Sequence, residues 1–127
     1  MVGIVVVSHS RDLASGVVDL AGQVAGPEVR IEAAGGGPDG TLGTDEQCVR
    51  DAIARADQGD GVVVLCDLGS AVLTVRHLLE RRSANGVVLA DAPLVEGAVA
   101  AAVVSSAGSA LADVAGAAEE ARGARKL

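Results

Sequence analysis

Three short stretches of this chain hold the side chains that could do chemistry, and each directly follows an apolar run. They are Ser8-His9-Ser10 after Ile4 to Val7, Asp67-Leu68-Gly69-Ser70 after Val62 to Cys66, and Asp91-Ala92-Pro93-Leu94-Val95 after Val87 to Ala90. A histidine at a strand-to-helix turn can bond one ring nitrogen to an acceptor, which fixes the tautomer and leaves the other nitrogen nucleophilic. His9 has that placement. The N–H groups opening the helix after Ser10, with the small residues Gly69 and Ser70, would receive a phosphoryl group without steric or charge conflict. Asp67, ending a buried strand, would orient His9 and stabilise its protonated form. Each has a purely structural counterpart that position alone leaves open: His9 bonding a loop carbonyl, and Asp67 capping the helix that follows.

Other candidates carry less. His77 lies mid-helix beside Arg76 with no acidic or cysteine residue at ligand spacing, so it reads as a solvated or helix-packing side chain, and no metal site is expected. The loop Gly-Gly-Gly-Pro-Asp-Gly-Thr-Leu-Gly-Thr at 35 to 44 contains no lysine and does not match a nucleotide P-loop. A dinucleotide fingerprint is also missing after the first strand, so no cofactor is expected.

The elements that must position these residues follow from the hydrophobic pattern. Ile4 to Val7, Val62 to Cys66 and Val87 to Ala90 are apolar at successive positions, as strands covered on both faces are. Val29 to Ala33 alternates with Arg30 and Glu32 and reads as a half-exposed edge strand. Between the runs lie helical patterns. The first places Leu13, Val17, Leu20, Ala21 and Val24 on one inward face and ends at Gly26-Pro27. Thr44 with Gln47 forms a capping box opening a helix whose apolar face is Val49, Ala52, Ile53 and Ala56. A third helix runs from about Ser70 to Arg82 with Val72, Val75, Leu78 and Leu79 inward. Val95 to Val104 and Ala110 to Arg122 supply two more, followed by a frayed tail, Gly123 to Leu127. Strand and helix alternate throughout, which predicts one doubly wound α/β domain over residues 1–127, with a central, mainly parallel four-stranded sheet flanked by helices. In such sheets, ligands gather at the carboxyl ends of the strands, where the three stretches above converge.

Composition bounds the function. The chain has 127 residues, half of them apolar, with no Phe, Tyr or Trp, so the core must be Val, Leu, Ile and Ala, and sites that stack a flavin or base on a ring are disfavoured. Ten basic against seventeen acidic residues give a net charge of -7, which repels nucleic acid and anionic membranes. Cys48 and Cys66 are too few for a disulfide framework, read as small buried hydrophobes, and imply a reducing compartment. Met1 is followed by no basic n-region, and Val2 to Val7 is too short for a signal core or a membrane span, so a cytoplasmic protein is expected.

Three ordered motifs then add what spacing cannot: Val-Val-Val-Ser-His-Ser-Arg at 5 to 11, Cys-Asp-Leu-Gly-Ser-Ala at 66 to 71 and Ala-Pro-Leu-Val-Glu-Gly at 92 to 97. Together, over residues 1 to about 108, they resemble the phosphotransferase subunits of phosphoenolpyruvate-dependent dihydroxyacetone kinases, within the mannose-type EIIA class of the phosphotransferase system. The resemblance implies a dimeric α/β domain in which His9 receives phosphate from phospho-HPr and passes it to ADP bound on a partner L subunit, while a K subunit holds dihydroxyacetone. It matches Asp67 to the acidic residue of related EIIA domains, Gly69 and Ser70 to the turn that cradles the phosphohistidine, and Gly43 and Thr44 to a motif near the site. Some members carry fused HPr-like and enzyme I-like domains; this chain is expected to use a free HPr.

Two other functions compete. An EIIA domain of a mannose-type sugar transporter would use the same histidine to phosphorylate a permease EIIB domain, though the Ala-Pro-Leu-Val-Glu-Gly motif favours the kinase branch. A phosphorylation-tuned regulatory interaction module would take phosphate on His9 with no acceptor to remove it. A receiver-like module is disfavoured, because Ser8-His9 stands where its acidic pair belongs and Lys126 lies in the tail.

Overall fold

The structure, a computed structural model, describes residues 1–81 and 86–127. Four strands, β1 (Gly3–Ser8), β2 (Ile31–Gly35), β3 (Val62–Cys66) and β4 (Val87–Leu89), form one sheet in the order β2-β1-β3-β4. Every pairing in it is parallel. Helices α1 (Arg11–Ala25), α2 (Glu46–Ala56) and α3 (Gly69–Arg81) lie between successive strands, and α4 (Leu94–Ser106) and α5 (Leu111–Glu120) follow β4. This is the doubly wound α/β architecture read from the sequence.

The period of two along each strand sends alternate side chains to opposite faces. On one face Ile4, Val6, Val63 and Leu65 pack against Ala14, Val17 and Ala21 of α1, Ala98, Ala101 and Ala102 of α4, and Val114 and Ala118 of α5. On the other, Val5, Val7, Val62 and Val64 meet Val49, Ala52 and Ile53 of α2 and Ala71, Val75 and Leu78 of α3. With both faces covered, every residue of β1 and β3 is buried, which is why those runs are continuous rather than alternating. With no aromatic side chains, close helix approach through alanine fills the space instead.

Several expectations need correction. The buried face of α1 is Ala14, Val17 and Ala21, while Leu13, Leu20 and Val24 are 43%, 46% and 52% exposed. The helix is pressed between the sheet and α4, and that contact is close enough to select alanine over leucine, so the larger side chains turn outward. Val87 to Leu89 is not covered like the central strands: β4 is an edge strand whose residues are all half-buried, and Ala90 is buried just beyond its end. The capping box at Thr44 is displaced by one residue. Thr44 is held in a bridge to Gly36, and Asp45 caps α2 by accepting the Gln47 N–H at 3.0 Å. Helix α3 starts at Gly69 rather than Ser70, with Val72 and Leu79 on a half-buried flank; Arg82, its expected end, lies outside the described residues.

The edge strand after α1 runs Ile31–Gly35, and Val29 before it is buried against the core. After α5, Ala121–Gly123 form a 3-10 turn, and Arg122 pairs with Asp91 at 2.7 Å and Lys126 with Glu96 at 3.0 Å. Both pairs are exposed and contribute little. Among the described residues, no helix is long and apolar enough to cross a membrane.

Candidate active site

The register of β1 on β3 pairs Val7 with Cys66, so the next residues of the two strands, Ser8 and Asp67, emerge side by side at the carboxyl end of the sheet. The Asp67 N–H extends the ladder to the Val7 carbonyl at 3.1 Å. His9 follows Ser8 and turns its ring toward Asp67, with Nδ1 at 2.9 Å from Oδ1. The other carboxylate oxygen accepts the Ser8 hydroxyl at 2.8 Å and the His9 backbone N–H at 3.0 Å, and the Leu68 N–H reaches Oδ1 at 2.7 Å. Burial pushes the Asp67 carboxyl up, but the hydrogen bonds from the His9 backbone and ring, from Ser8 and from Leu68 outweigh it and hold it below its ordinary value. The carboxylate is therefore ionised near neutral pH and can only accept, which assigns a proton to His9 Nδ1; in the neutral ring the lone pair is then on Nε2. Nε2 faces the Ser70 hydroxyl in a short contact, in which the hydroxyl donates when the ring is the neutral Nδ1–H tautomer.

Each remaining residue singled out in the sequence has a definite place. Ser10 is the N-cap of α1: its hydroxyl accepts the Leu13 N–H at 3.2 Å, and its own N–H bonds the Ser8 hydroxyl at 3.0 Å. Gly69 opens α3 and is exposed beside Ser70. Gly43 donates its N–H to the His9 carbonyl at 3.1 Å, bringing the glycine-rich loop against the site. The Thr44 hydroxyl oxygen is buried and bonds none of the described residues. Asp67 does not cap α3, because its carboxylate receives the adjacent Leu68 N–H and no N–H further along the helix. His77 is exposed on α3, away from His9.

Gly35, at the tip of β2, is what lets α1 start so close. A β-carbon there would stand 2.7 Å from Arg11 Cα and 2.9 Å from the Ser10 carbonyl oxygen. Two contributors were missed in the sequence. Ser8 is fully buried, yet its hydroxyl ties Asp67 to the start of α1; the available signal was a lone polar residue ending an all-apolar buried strand. Leu68 contributes through its backbone, which no side-chain pattern announces. Cys66 lies next to Asp67, where burial first and the neighbouring carboxylate second push its thiol up to about 12, so it is an inert thiol. Cys48 is also unpaired. Among the described residues, no group of three or more His, Cys, Asp or Glu side chains is placed to hold a metal.

Residues 3–115 match the family model EIIA-man, described as PTS system fructose IIA component. The chain is 39% identical to the PEP-dependent dihydroxyacetone kinase 2, phosphoryl donor subunit DhaM of Listeria innocua, over 83% of this chain and 86% of that protein. It is 35% identical to the PTS-dependent dihydroxyacetone kinase, phosphotransferase subunit DhaM of Lactococcus lactis, over 84% and 85% of the two chains. The Escherichia coli DhaM, 40% identical, is longer, and the match spans 86% of this chain and 24% of that one. A crystal structure of a protein of unknown function, EF1359, superposes with a TM-score of 0.80 at 35% identity, covering 94% of each chain. The chain belongs to the EIIA-man family and, within it, to the DhaM phosphoryl donor subunits of dihydroxyacetone kinase.

Proposed function

We propose that His9 is the phosphoryl carrier, taking phosphate from phospho-HPr on Nε2 and passing it to ADP on the nucleotide-binding L subunit, with the K subunit holding the dihydroxyacetone that is finally phosphorylated. The observation that carries this reading is the His9–Asp67 pair, which holds a proton on Nδ1 and turns Nε2 toward the open, Ser70-lined end of the site. In the first step the Nε2 lone pair attacks phosphorus, the P–N bond to the donor histidine breaks, and its electron pair stays on the donor ring. Nδ1–H remains on Asp67, whose negative charge offsets the imidazolium character of phospho-His9. In the second step a β-phosphate oxygen of ADP attacks the same phosphorus, and the P–Nε2 bond returns its electrons to His9.

Ser70 must release Nε2 for this to happen, and its hydroxyl then donates to a phosphoryl oxygen instead. The N–H groups opening α3 at Gly69 and Ser70 supply a partial positive charge there. Gly43 and Ser10 hold the turn that carries His9, and Thr44 offers a donor nearby. Residues 1–127 act as one EIIA domain with 123–127 as its tail, working in the cytoplasm as a two-fold homodimer. The test is labelling with phosphoenolpyruvate, enzyme I and HPr, followed by L subunit with ADP and K subunit with dihydroxyacetone. Loss of label from His9 only when the L subunit is added supports the reading. Discharge to a permease EIIB domain and not to the L subunit would overturn it.

A further inference from the structure

We propose that Arg11 holds the phosphates of the acceptor nucleotide while phospho-His9 gives up its phosphoryl group, a contact used in the second half-reaction and not in the first. This deepens the function proposed above and rests on it.

Arg11 is the first residue of α1, with the cap Ser10 between it and His9. A cation there opposes the partial positive charge of the helix start, where an acid such as the neighbouring Asp12 is favoured. Nothing described in the chain offsets that opposition. Arg11 is exposed and makes no ion pair or side-chain hydrogen bond among the described residues, not even with Asp12 or with Asp39 of the adjoining loop. Arg50, Arg55, Arg81, Arg122 and Lys126, by contrast, each pair with a carboxylate. The glycine-rich loop leaves the Arg11 side chain uncovered. A β-carbon at Gly36 would stand 3.7 Å from Arg11 Cβ, and one at Gly40 would stand 3.9 Å from Nη2, so the side chain runs along glycines from the root of the loop to its tip. Gly43 of the same loop bonds the His9 carbonyl, which ties the loop, Arg11 and His9 together at the carboxyl end of the sheet. Of the other arginines without a carboxylate partner, Arg76 lies about two turns along α3 from Gly69, and Arg125 is in the tail.

Charge and the side of approach decide what Arg11 binds. The sheet order puts β1 between β2 and β3, so His9 stands between Arg11 on the loop after β2 and Ser70 on the helix after β3. The phosphoryl group on Nε2 is cradled on the Ser70 side, away from the guanidinium. In the first transfer the donor ring leaves with no phosphate of its own, and no cation beyond the cradle is needed. In the second, ADP brings its own phosphates against phospho-His9, Asp67 and a chain of net charge -7. A guanidinium beside His9 offsets that repulsion and grips phosphate oxygens with two N–H groups at once.

The experiment measures the two half-reactions separately by rapid quench: labelling of the full chain by phospho-HPr, then discharge of the isolated phosphoprotein to the L subunit loaded with ADP. Thermal melts are the fold control. Arg11→Gln is expected to slow discharge about tenfold or more and to flatten its dependence on salt, while changing labelling by less than about twofold. Arg11→Lys keeps the charge without the fork and should recover part of the loss. Arg125→Gln removes the same charge from the tail and should discharge as wild type does. Unchanged discharge in Arg11→Gln overturns the assignment and leaves His9 as the carrier. Equal slowing of both steps also overturns it, placing Arg11 on the transferring phosphoryl group instead. A wild type that takes label but does not discharge to the L subunit removes the function on which the inference rests, and the inference with it.

Discussion

His9 Nδ1 and Asp67 Oδ1 lie 2.9 Å apart although 58 residues separate them in the chain, because β1 and β3 are adjacent parallel strands that end level with each other. The carboxylate accepts four hydrogen bonds, two from His9, one from Ser8 and one from Leu68, so Asp67 cannot turn without breaking them and stands as a fixed acceptor for the His9 ring. The imidazole is thereby held in one tautomer before any partner arrives.

Replacement of His9 by Ala should abolish labelling from phosphoenolpyruvate, enzyme I and HPr, whereas His77→Ala should leave it at the wild-type level. His77 is exposed on α3 and, among the described residues, has no carboxylate fixing its ring. Full labelling of the His9 variant would remove the carrier role from this site.

The proposed carrier role also makes a prediction about which ring nitrogen takes the phosphate. With Nδ1 engaged by Asp67, phosphorylation should occur at Nε2, and nitrogen and phosphorus NMR of the labelled protein should report that isomer alone. A signal for phosphate on Nδ1 would mean that the Asp67 bond breaks during transfer.

Gly35 offers a test of how the second strand holds the site. In Gly35→Ala the new methyl meets the backbone of Ser10 and Arg11, which cannot move aside as a flexible side chain would. Overpacking of this kind costs about 1–3 kcal/mol. The shift falls on the turn carrying His9, so both the melting temperature and the rate of labelling should drop. A variant with a lowered melting temperature and an unchanged rate would show that the turn moves independently of β2.

Much of this was legible in the sequence because parallel strands buried on both faces write themselves as unbroken apolar runs, and the strand-end rule then selects the loops. His9 and Asp67 stood out for that reason. What was not legible depends on distances between elements. Leu13, Leu20 and Val24 fit an inward stripe as well as Ala14, Val17 and Ala21 do, and only the closeness of α4 and the sheet decides for the small residues. The same holds for β4, whose composition matches β3 although its position at the edge leaves it half-covered. Thr44 and Asp45 both fit an N-cap, and the bridge to Gly36 settles which one serves.

Asp67→Asn separates a role in transfer from a role in folding. Asn keeps the shape but loses the charge and one acceptor oxygen, so the imidazolium character developing on phospho-His9 is no longer offset, and transfer from phospho-HPr should slow by roughly 10²-fold. Stability should fall as well, by about 1–3 kcal/mol, since a partly buried donor among Ser8, the His9 backbone and Leu68 is left unpaired. The pH dependence follows from the sign of the shift. Folding holds the Asp67 carboxyl below its unfolded value of about 3.9, so its contribution is full above that value and is lost as the pH falls through the lower folded value. Denaturation of wild type and Asp67→Asn should therefore differ at neutral pH and converge in acid. Rapid-quench rates at neutral pH, set beside those melts, give the decision. A slow variant whose melts match wild type makes the charge alone responsible for the rate. A variant destabilised as expected but equally fast leaves Asp67 as a structural anchor and His9 dependent on backbone groups for its phosphoryl chemistry.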